Sequence, residues 1–196
     1  IDCLIRNTRV PIVVAAGNRQ AMEIGGYNYC VNTYGIAGNA ITVGSAKTNG
    51  TNPDASGAFK LAEGSCYVVN TPINKPDLCA PGYVSIYSLE EAGGTSFAAP
   101  HVTGTIVQMI ARNSAFANQP QKIKAALLAS ATRNCGTSMS YIGKEISNQE
   151  GAGVLDADFC YRVARAGRAA QFDVTSSLTS SNPIKQQVYC DYVTKP

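Results

Sequence analysis

A serine hydroxyl stands at the predicted start of an apolar helix. Ser96 follows the glycine pair Gly93 and Gly94 and precedes an almost wholly apolar run from Phe97 to Ala111. Glycine gives a loop backbone conformations that other residues avoid, and the apolar run leaves the helix no solvated face. The helix N-terminus has unpaired N–H groups and the positive end of the dipole, so it suits an anion developing beside Ser96. A serine that caps the helix is the alternative, and on these residues alone it is the commoner role.

A carboxamide follows the first predicted strand. The β-branched run from Val10 to Ala16 ends at Gly17 and Asn18, a pattern typical of a strand buried on both faces of a parallel sheet. Ligands of open α/β sheets bind beyond the carboxyl ends of the strands, so Asn18 is placed for a functional role. Gly-Asn is also ordinary turn chemistry, and this pair alone leaves both roles open.

Strands and helices alternate along the rest of the chain. Roughly 25 residues separate the first two predicted strands, enough for a parallel crossover. Two prolines and a glycine predict a rigid turn over residues 75–82. The serine helix should end near Asn113, and Asp156 should cap a helix that ends at Gly167 after the tight glycine-containing segment 151–155. The predicted elements are strands at 10–16, 40–46 and 83–88 and helices that begin after Gly94, at Pro120 and after Asp156.

The composition is that of a small-residue-rich α/β protein. Charged residues make up 15% and hydrophobic residues 45% of the chain, and the net charge is +3. Basic residues cluster only at Arg162, Arg165 and Arg168, whose helical spacing indicates a solvated helix face and not a nucleic-acid surface. No apolar run approaches the ~20 residues of a membrane helix. We therefore expect neither nucleic acid nor a membrane as a partner.

The cysteines favour disulfide chemistry over metal binding. The chain has seven cysteines, no C-x-x-C pair and one histidine, which gives a zinc site little support. An odd number leaves at least one free thiol or a partner outside the chain. The count favours an oxidising compartment, although free buried cysteines are also common. We expect no cofactor and a secreted or otherwise extracytoplasmic protein.

Several stretches together resemble a known protease family. Val13 to Asn18, Asp77 to Gly82 and Gly94 to Gly104 resemble, in order and spacing, the asparagine, pre-serine and serine motifs of subtilisin-like serine proteases, the subtilases. Residues 151–157 resemble the turn before that family's last core helix. The resemblance covers roughly residues 8–167. It implies a three-layer α/β fold with a mostly parallel central sheet, of which this chain supplies only the C-terminal portion.

The resemblance implies a serine endopeptidase that acts on protein or peptide substrates. Ser96 would be the nucleophile and would form an acyl-enzyme. The side-chain amide of Asn18 and the backbone N–H of Ser96 would donate to the oxyanion of the tetrahedral intermediate. One wall of the pocket for the residue that precedes the cut bond would be formed by Ala15, Ala16 and Gly17.

The resemblance also shows what the chain lacks. Subtilases carry their catalytic residues in the order Asp, His, Ser, so both partners of Ser96 should precede it. The single histidine, His101, matches the family's structural histidine, and its offset of five residues from Ser96 does not place the two side chains on one helix face. We expect His101 to pack in the core or against a neighbouring helix, and the catalytic Asp and His to come from an absent N-terminal part of the same protease.

Two domain assignments follow from the resemblance. Residues 1–168 would form the C-terminal portion of a subtilisin-like catalytic domain, with an exposed sheet edge and an unburied helix face where the first strands are absent. Residues 169–196 alternate in the β manner around a Ser/Thr/Asn/Pro linker and would begin a C-terminal β extension.

The sequence leaves two other functions open. A pseudoprotease that has lost its base would serve as a binding or regulatory module. An esterase or acyl transferase would use the same serine and oxyanion hole. Calcium is frequent in subtilases, but the sequence shows no convincing acidic ligand cluster, so calcium binding stays open as well.

Overall fold

Parallel strands with helices packed against them make up the described fold. The computed structural model describes residues 1–18, 31–48, 59–62, 64–68, 75–84, 92–132 and 149–167. The predicted β extension at 169–196 therefore lies outside the described residues. The elements in chain order are α1 (Asp2–Thr8), β1 (Val13–Ala15), β2 (Ile41–Thr48), β3 (Phe59–Leu61), β4 (Leu78–Pro81), β5 (Tyr83–Val84), β6 (Ala92–Gly93), α2 (Thr95–Arg112), a 3-10 turn (Ser114–Phe116), α3 (Pro120–Ser130) and α4 (Ala157–Ala166).

Strand β2 is the centre of the sheet. It pairs in parallel with β1 and with β4, and antiparallel with β3. Val43 pairs with Ala15 of β1 and also with Leu78 of β4, so β1 and β4 lie on opposite sides of β2. The expected α/β fold with a mostly parallel sheet is confirmed. β1 is half-buried instead of fully buried, since among the described strands it pairs only with β2.

The expected rigid turn at residues 75–82 is wrong, because Leu78 to Pro81 form strand β4. Prolines marked this segment as a turn, but tertiary contacts hold it extended. Cys79 pairs with Gly44 of β2 on one side, and on the other its N–H donates to the Gly153 carbonyl at 2.8 Å. Pro81, which has no N–H to donate, stands at the last position of the strand.

Helix α2 begins and ends where the sequence predicts, and one of its faces forms the core with the sheet. Its inward residues are fully buried and pack on Ile41, Val43 and Leu78. Helices α3 and α4 close the same cluster. The fully buried residues that α2 contributes are Ala98, Val102, Ile106 and Met109.

The opposite face of α2 is exposed in this chain. Phe97 is 37% and Val107 61% exposed. The unburied helix face expected for this portion of the fold is confirmed, and the prediction of a helix without a solvated face is wrong for the chain by itself. His101 is also exposed. The prediction that it packs in the core is wrong, because its position on α2 belongs to this outer face.

The glycine-containing segment before α4 is as tight as predicted. Gly151 has a φ of +61°, and a Cβ atom built on it would lie 2.2 Å from the Asp77 carbonyl oxygen. Asp156 caps α4, because its carboxylate accepts from the Phe159 N–H at 2.8 Å. Gly167 ends the helix in the left-handed conformation. Local chemistry was sufficient for each of these predictions.

A buried ionic cluster lies where strands β2 and β4 begin. One oxygen of Asp77 is 2.7 Å from the Lys75 ammonium, and the other is 2.8 Å from the Lys124 ammonium. The Thr42 N–H also donates to Asp77, at 2.7 Å. Lys75 is 1% exposed, and its ammonium reaches the Ala40 carbonyl as well. Burial lowers the pKa of Lys75, and Asp77 opposes that shift.

Candidate active site

Ser96 is the second residue of α2 and not its cap. The cap position belongs to Gly94, and no side chain caps this helix. The Ser96 side chain is exposed, whereas its neighbour Thr95 is buried. The alternative role of Ser96 as a helix cap is therefore wrong. Its hydroxyl faces solvent at the positive end of an 18-residue helix.

The N–H groups at the start of α2 are satisfied with one exception. Helix N-termini leave their first N–H groups without intrahelical partners. In the part of the chain that the structure describes, the Ser96 N–H has no hydrogen-bond partner, whereas the groups on both sides of it are bonded. Those bonds run from Gly94 to the Gly82 carbonyl (2.8 Å), from Thr95 to Asn18 Oδ1 (3.0 Å) and from Phe97 to the Gly94 carbonyl (3.0 Å).

The carboxamide of Asn18 lies directly beside this N-terminus. Its Oδ1 accepts from the backbone N–H of Thr95 at 3.0 Å and from the Thr95 hydroxyl at 3.3 Å. A backbone N–H can only donate, so the oxygen must face Thr95 and the Nδ2 group must face away from it. Within the described ranges Nδ2 has no acceptor. The structure thus brings Asn18 and the start of α2 together, as the sequence predicted.

Gly94 makes room for that carboxamide. A Cβ atom on Gly94 would lie 2.9 Å from Asn18 Nδ2, closer than packed side chains come. The φ of Gly94, +155°, is also one that side-chain-bearing residues rarely adopt. The glycine before Thr95 is therefore required for Asn18 to approach the helix.

Thr95 is a residue of this site that sequence reasoning missed. It is 1% exposed, and its hydroxyl accepts from the Gly17 N–H at 3.0 Å and donates to Asn18 Oδ1. A buried hydroxyl needs hydrogen-bond partners, and here both lie on the strand end that carries the carboxamide. Through these two hydrogen bonds, Thr95 connects Gly17 and Asn18 to α2. The available signal in the sequence was a threonine between the glycine pair and Ser96.

The three residues predicted to form a pocket wall are Ala15, the last residue of β1, and the two residues that follow it. Ala15 and Gly17 are half-buried, and Ala16 is fully buried. Their carbonyl groups are all engaged. The Asn32 side chain donates to Ala15 O, the Asn32 N–H donates to Ala16 O, and the Cys66 N–H donates to Gly17 O. The backbone of this segment is therefore fixed by hydrogen bonds from Asn32 and Cys66.

A general base is not found beside Ser96 among the described residues. The only histidine of the chain, His101, lies on the outer face of α2. The buried carboxylate of Asp77 is bound to two lysines at the amino-terminal end of the parallel strands, where β2 and β4 begin. The arrangement therefore combines a hydroxyl with two open N–H donors, suited to stabilising an oxyanion, without the group that would activate the hydroxyl.

The described cysteines include one in a disulfide and a buried thiol. Cys66 is disulfide-bonded, Cys3 is exposed, and burial raises the pKa of the Cys160 thiol to about 11. Within the described ranges, no three His, Cys, Asp or Glu side chains gather as metal ligands. Likewise, no helix of those ranges is long and apolar enough to span a membrane.

Known structures share this fold at low sequence identity. The prenylagaramide maturation protease PagA superposes with a TM-score of 0.54 at 21% identity, covering 82% of this chain and 52% of PagA. The patellamide maturation protease PatA gives 0.56 at 21% identity, covering 84% and 54%. Fervidolysin from Fervidobacterium pennivorans, a keratinolytic enzyme related to subtilisin, gives 0.54 at 21% identity, covering 80% and 23%. No curated protein matches the sequence.

This chain matches only part of each of these structures. The chain spans about half the length of PagA and of PatA. A sequence model of the subtilase family matches residues 4–153, well over half of the chain. The matched range includes Asn18, Thr95 and Ser96. The chain therefore belongs to the subtilase family and has the α/β fold of subtilisin-like proteases.

Proposed function

We propose that this chain is part of a serine endopeptidase in which Ser96 attacks the peptide carbonyl. One observation carries the proposal. Beside the exposed Ser96 hydroxyl, both the Ser96 N–H and the Asn18 Nδ2 lack partners among the described residues, while the donors around them are satisfied. Two open donors at a helix N-terminus match the requirement of a tetrahedral intermediate, whose oxygen carries a full negative charge.

The catalytic steps divide between this chain and an N-terminal part of the protease. Ser96 Oγ bonds to the carbonyl carbon while its proton moves to a histidine that the N-terminal part supplies, held by that part's aspartate. The Ser96 N–H and the Asn18 amide hold the oxyanion. Expulsion of the amine, which takes the proton, leaves an acyl-enzyme that water then hydrolyses.

Two features of the described chain support an N-terminal part. The exposed apolar face of α2, with Phe97 and Val107, is a surface that a further layer of the fold would cover. Strand β1 is half-buried and pairs among the described strands only with β2. The coverage of about half of PagA and PatA agrees with this division.

The proposed location is outside the cytoplasm. The disulfide at Cys66 supports it, because disulfides persist in oxidising compartments. Membership of the subtilase family is consistent with secretion. Protein or peptide chains would then be the substrates, met outside the cell or in an extracytoplasmic space.

Labelling with a fluorophosphonate tests the proposal. The complete protein, with its N-terminal part, should form a covalent adduct at Ser96, located by mass spectrometry of the digested protein. Fluorophosphonates react with serines that a base activates, so exposure alone is insufficient. The variant Ser96→Ala should lose the adduct completely.

Ser114 is the matched control for this experiment, because it is an exposed serine on the turn after α2. Ser114→Ala should keep full labelling. A complete protein that hydrolyses peptides but is labelled at another serine contradicts the role of Ser96. A complete protein that is neither labelled nor active favours the alternative of a pseudoprotease used as a binding module.

Thr95 should contribute to turnover through the position of Asn18. Thr95→Val keeps the shape of the side chain and removes the hydroxyl that joins Gly17 and Asn18, leaving the half-buried Gly17 N–H without its acceptor. We expect kcat to fall about tenfold, since a displaced donor loses part of its oxyanion stabilisation. Steady-state kinetics of the complete protein measures it. Thr95→Ser, which keeps the hydroxyl, should stay within about threefold, and equal losses in both variants contradict this role.

A further inference from the structure

Asn32 lies against the strand end that carries the proposed substrate wall. Its side-chain nitrogen donates to the Ala15 carbonyl at 2.6 Å, and its backbone N–H donates to the Ala16 carbonyl at 3.1 Å. Asn32 itself is exposed. One residue of a surface loop thus holds two consecutive carbonyls of the segment that would contact the substrate.

The orientation of the Asn32 amide is fixed by its second partner. The Gly35 N–H donates to Asn32 Oδ1 at 2.9 Å. Because that N–H can only donate and the Ala15 carbonyl can only accept, the oxygen must face Gly35 and the nitrogen must face Ala15. The Thr42 hydroxyl, on β2, donates to the Gly35 carbonyl at 2.6 Å. Asn32 therefore connects the central strand of the sheet to the end of β1.

We propose that Asn32 is a positioning residue that determines which side chains the enzyme accepts immediately before the cut bond. The proposal rests on the proposed function, in which Ala15, Ala16 and Gly17 line that pocket. A large side chain pushes on the wall more than a small one does. The two hydrogen bonds from Asn32 to the Ala15 and Ala16 carbonyls, here called the clamp, keep the pocket wall in position when a large side chain presses on it. Small displacements of a positioned group weaken binding and slow the reaction.

Two variants separate the clamp from the folding of the loop. Asn32→Ala removes both side-chain bonds. Asn32→Asp keeps an oxygen that accepts from the Gly35 N–H, but it places a second oxygen against the Ala15 carbonyl, where only a donor fits. A purely structural role in the turn between residues 32 and 35 would be preserved by aspartate. The clamp on Ala15 would be lost in both variants.

The experiment compares peptide hydrolysis by the complete protein with alanine, leucine or phenylalanine before the cut bond. Both variants should raise KM for the leucine and phenylalanine peptides about fivefold, the effect of one lost hydrogen bond of ~1 kcal/mol. KM for the alanine peptide and all kcat values should change less than about twofold. Asn39→Ala is the control, since the Asn39 side chain makes no hydrogen bond in the described structure while its backbone N–H bonds Asp2.

Each outcome decides a separate question. If Asn32→Asp shows the KM values of the unsubstituted protein, the inference is overturned and the residue serves only the loop, whether or not Asn32→Ala folds. If KM rises equally for all three peptides, Asn32 does not act through the size of the side chain and the inference is again overturned. If the unsubstituted protein cleaves none of the peptides, the proposed function fails first and this inference fails with it.

Discussion

Replacement of Asn18 by alanine is expected to lower kcat of the complete protease about 10²- to 10³-fold, with little change in KM. The magnitude is the one measured when subtilisin loses its own oxyanion amide. The physical reason is that the donor meets a full negative charge only in the tetrahedral intermediate, so its loss affects the transition state more than substrate binding. Here Asn18 Oδ1 accepts from the N–H of Thr95, the residue before Ser96, and among the described residues neither Asn18 Nδ2 nor the Ser96 N–H has an acceptor.

Aspartate at the same position separates donation from anchoring. Asn18→Asp keeps the oxygen that accepts from the Thr95 N–H, but it offers no donor and adds a negative charge next to the oxyanion. Its kcat should fall at least as far as that of Asn18→Ala. Steady-state kinetics on one peptide, with Asn39→Ala as a control asparagine, provides the comparison. An Asn18→Asp enzyme with near-normal kcat would show that the carboxamide only anchors the helix.

Replacement of Asp77 by alanine is expected to lower the free energy of unfolding at pH 7 by ~3–5 kcal/mol. Lys75 is 1% exposed and would keep a buried ammonium without its carboxylate. Lys124 loses its carboxylate but keeps its bonds to the Gly38 and Ala40 carbonyls, and the Thr42 N–H loses its acceptor. Urea unfolding of the complete protein measures the change. Asp158→Asn, which breaks only the exposed pair with Arg162, should cost less than ~1 kcal/mol.

The loss of unfolding free energy in the Asp77→Ala variant should become smaller as the pH rises. Burial already lowers the pKa of Lys75 from 10.5, and removal of Asp77 lowers it further, since Asp77 is the group that raises it. Above that lowered pKa the folded state holds fewer protons on Lys75 than the unfolded state does. Stability therefore increases with pH up to the unfolded pKa of Lys75. The deficit should be smaller at pH 9.5 than at pH 7, and a deficit that grows contradicts the assignment.

Features set by local chemistry were predictable from the sequence. The start of α2 follows from the glycine pair, and the limits of α4 follow from Asp156 and Gly167. The proximity of Asn18 to Ser96 was predictable for a different reason. The resemblance to the asparagine and serine motifs of the subtilases implied it, and it agrees with the rule that ligands of α/β sheets bind beyond the carboxyl ends of the strands.

Features set by distant partners were not predictable. Proline and glycine gave Lys75 to Gly82 the appearance of a turn, but pairing with β2 and with residues 153–155 makes its middle a strand. The bond between Asp77 and Lys124 spans 47 positions, and no local pattern indicates it. Thr95 was part of the recognised motif, yet its role depends on Gly17, 78 positions away.

The two ends of the parallel strands carry different chemistry, and this separation affects how the protein can adapt to temperature. The proposed oxyanion donor Asn18 lies past the carboxyl end of β1, whereas the Lys75–Asp77–Lys124 cluster lies where β2 and β4 begin. We therefore expect substitutions in the ionic cluster to change the melting temperature without altering the proposed substrate-binding groups. Heat tolerance and substrate preference can therefore diverge independently, each through a handful of residues, in proteases adapted to different temperatures.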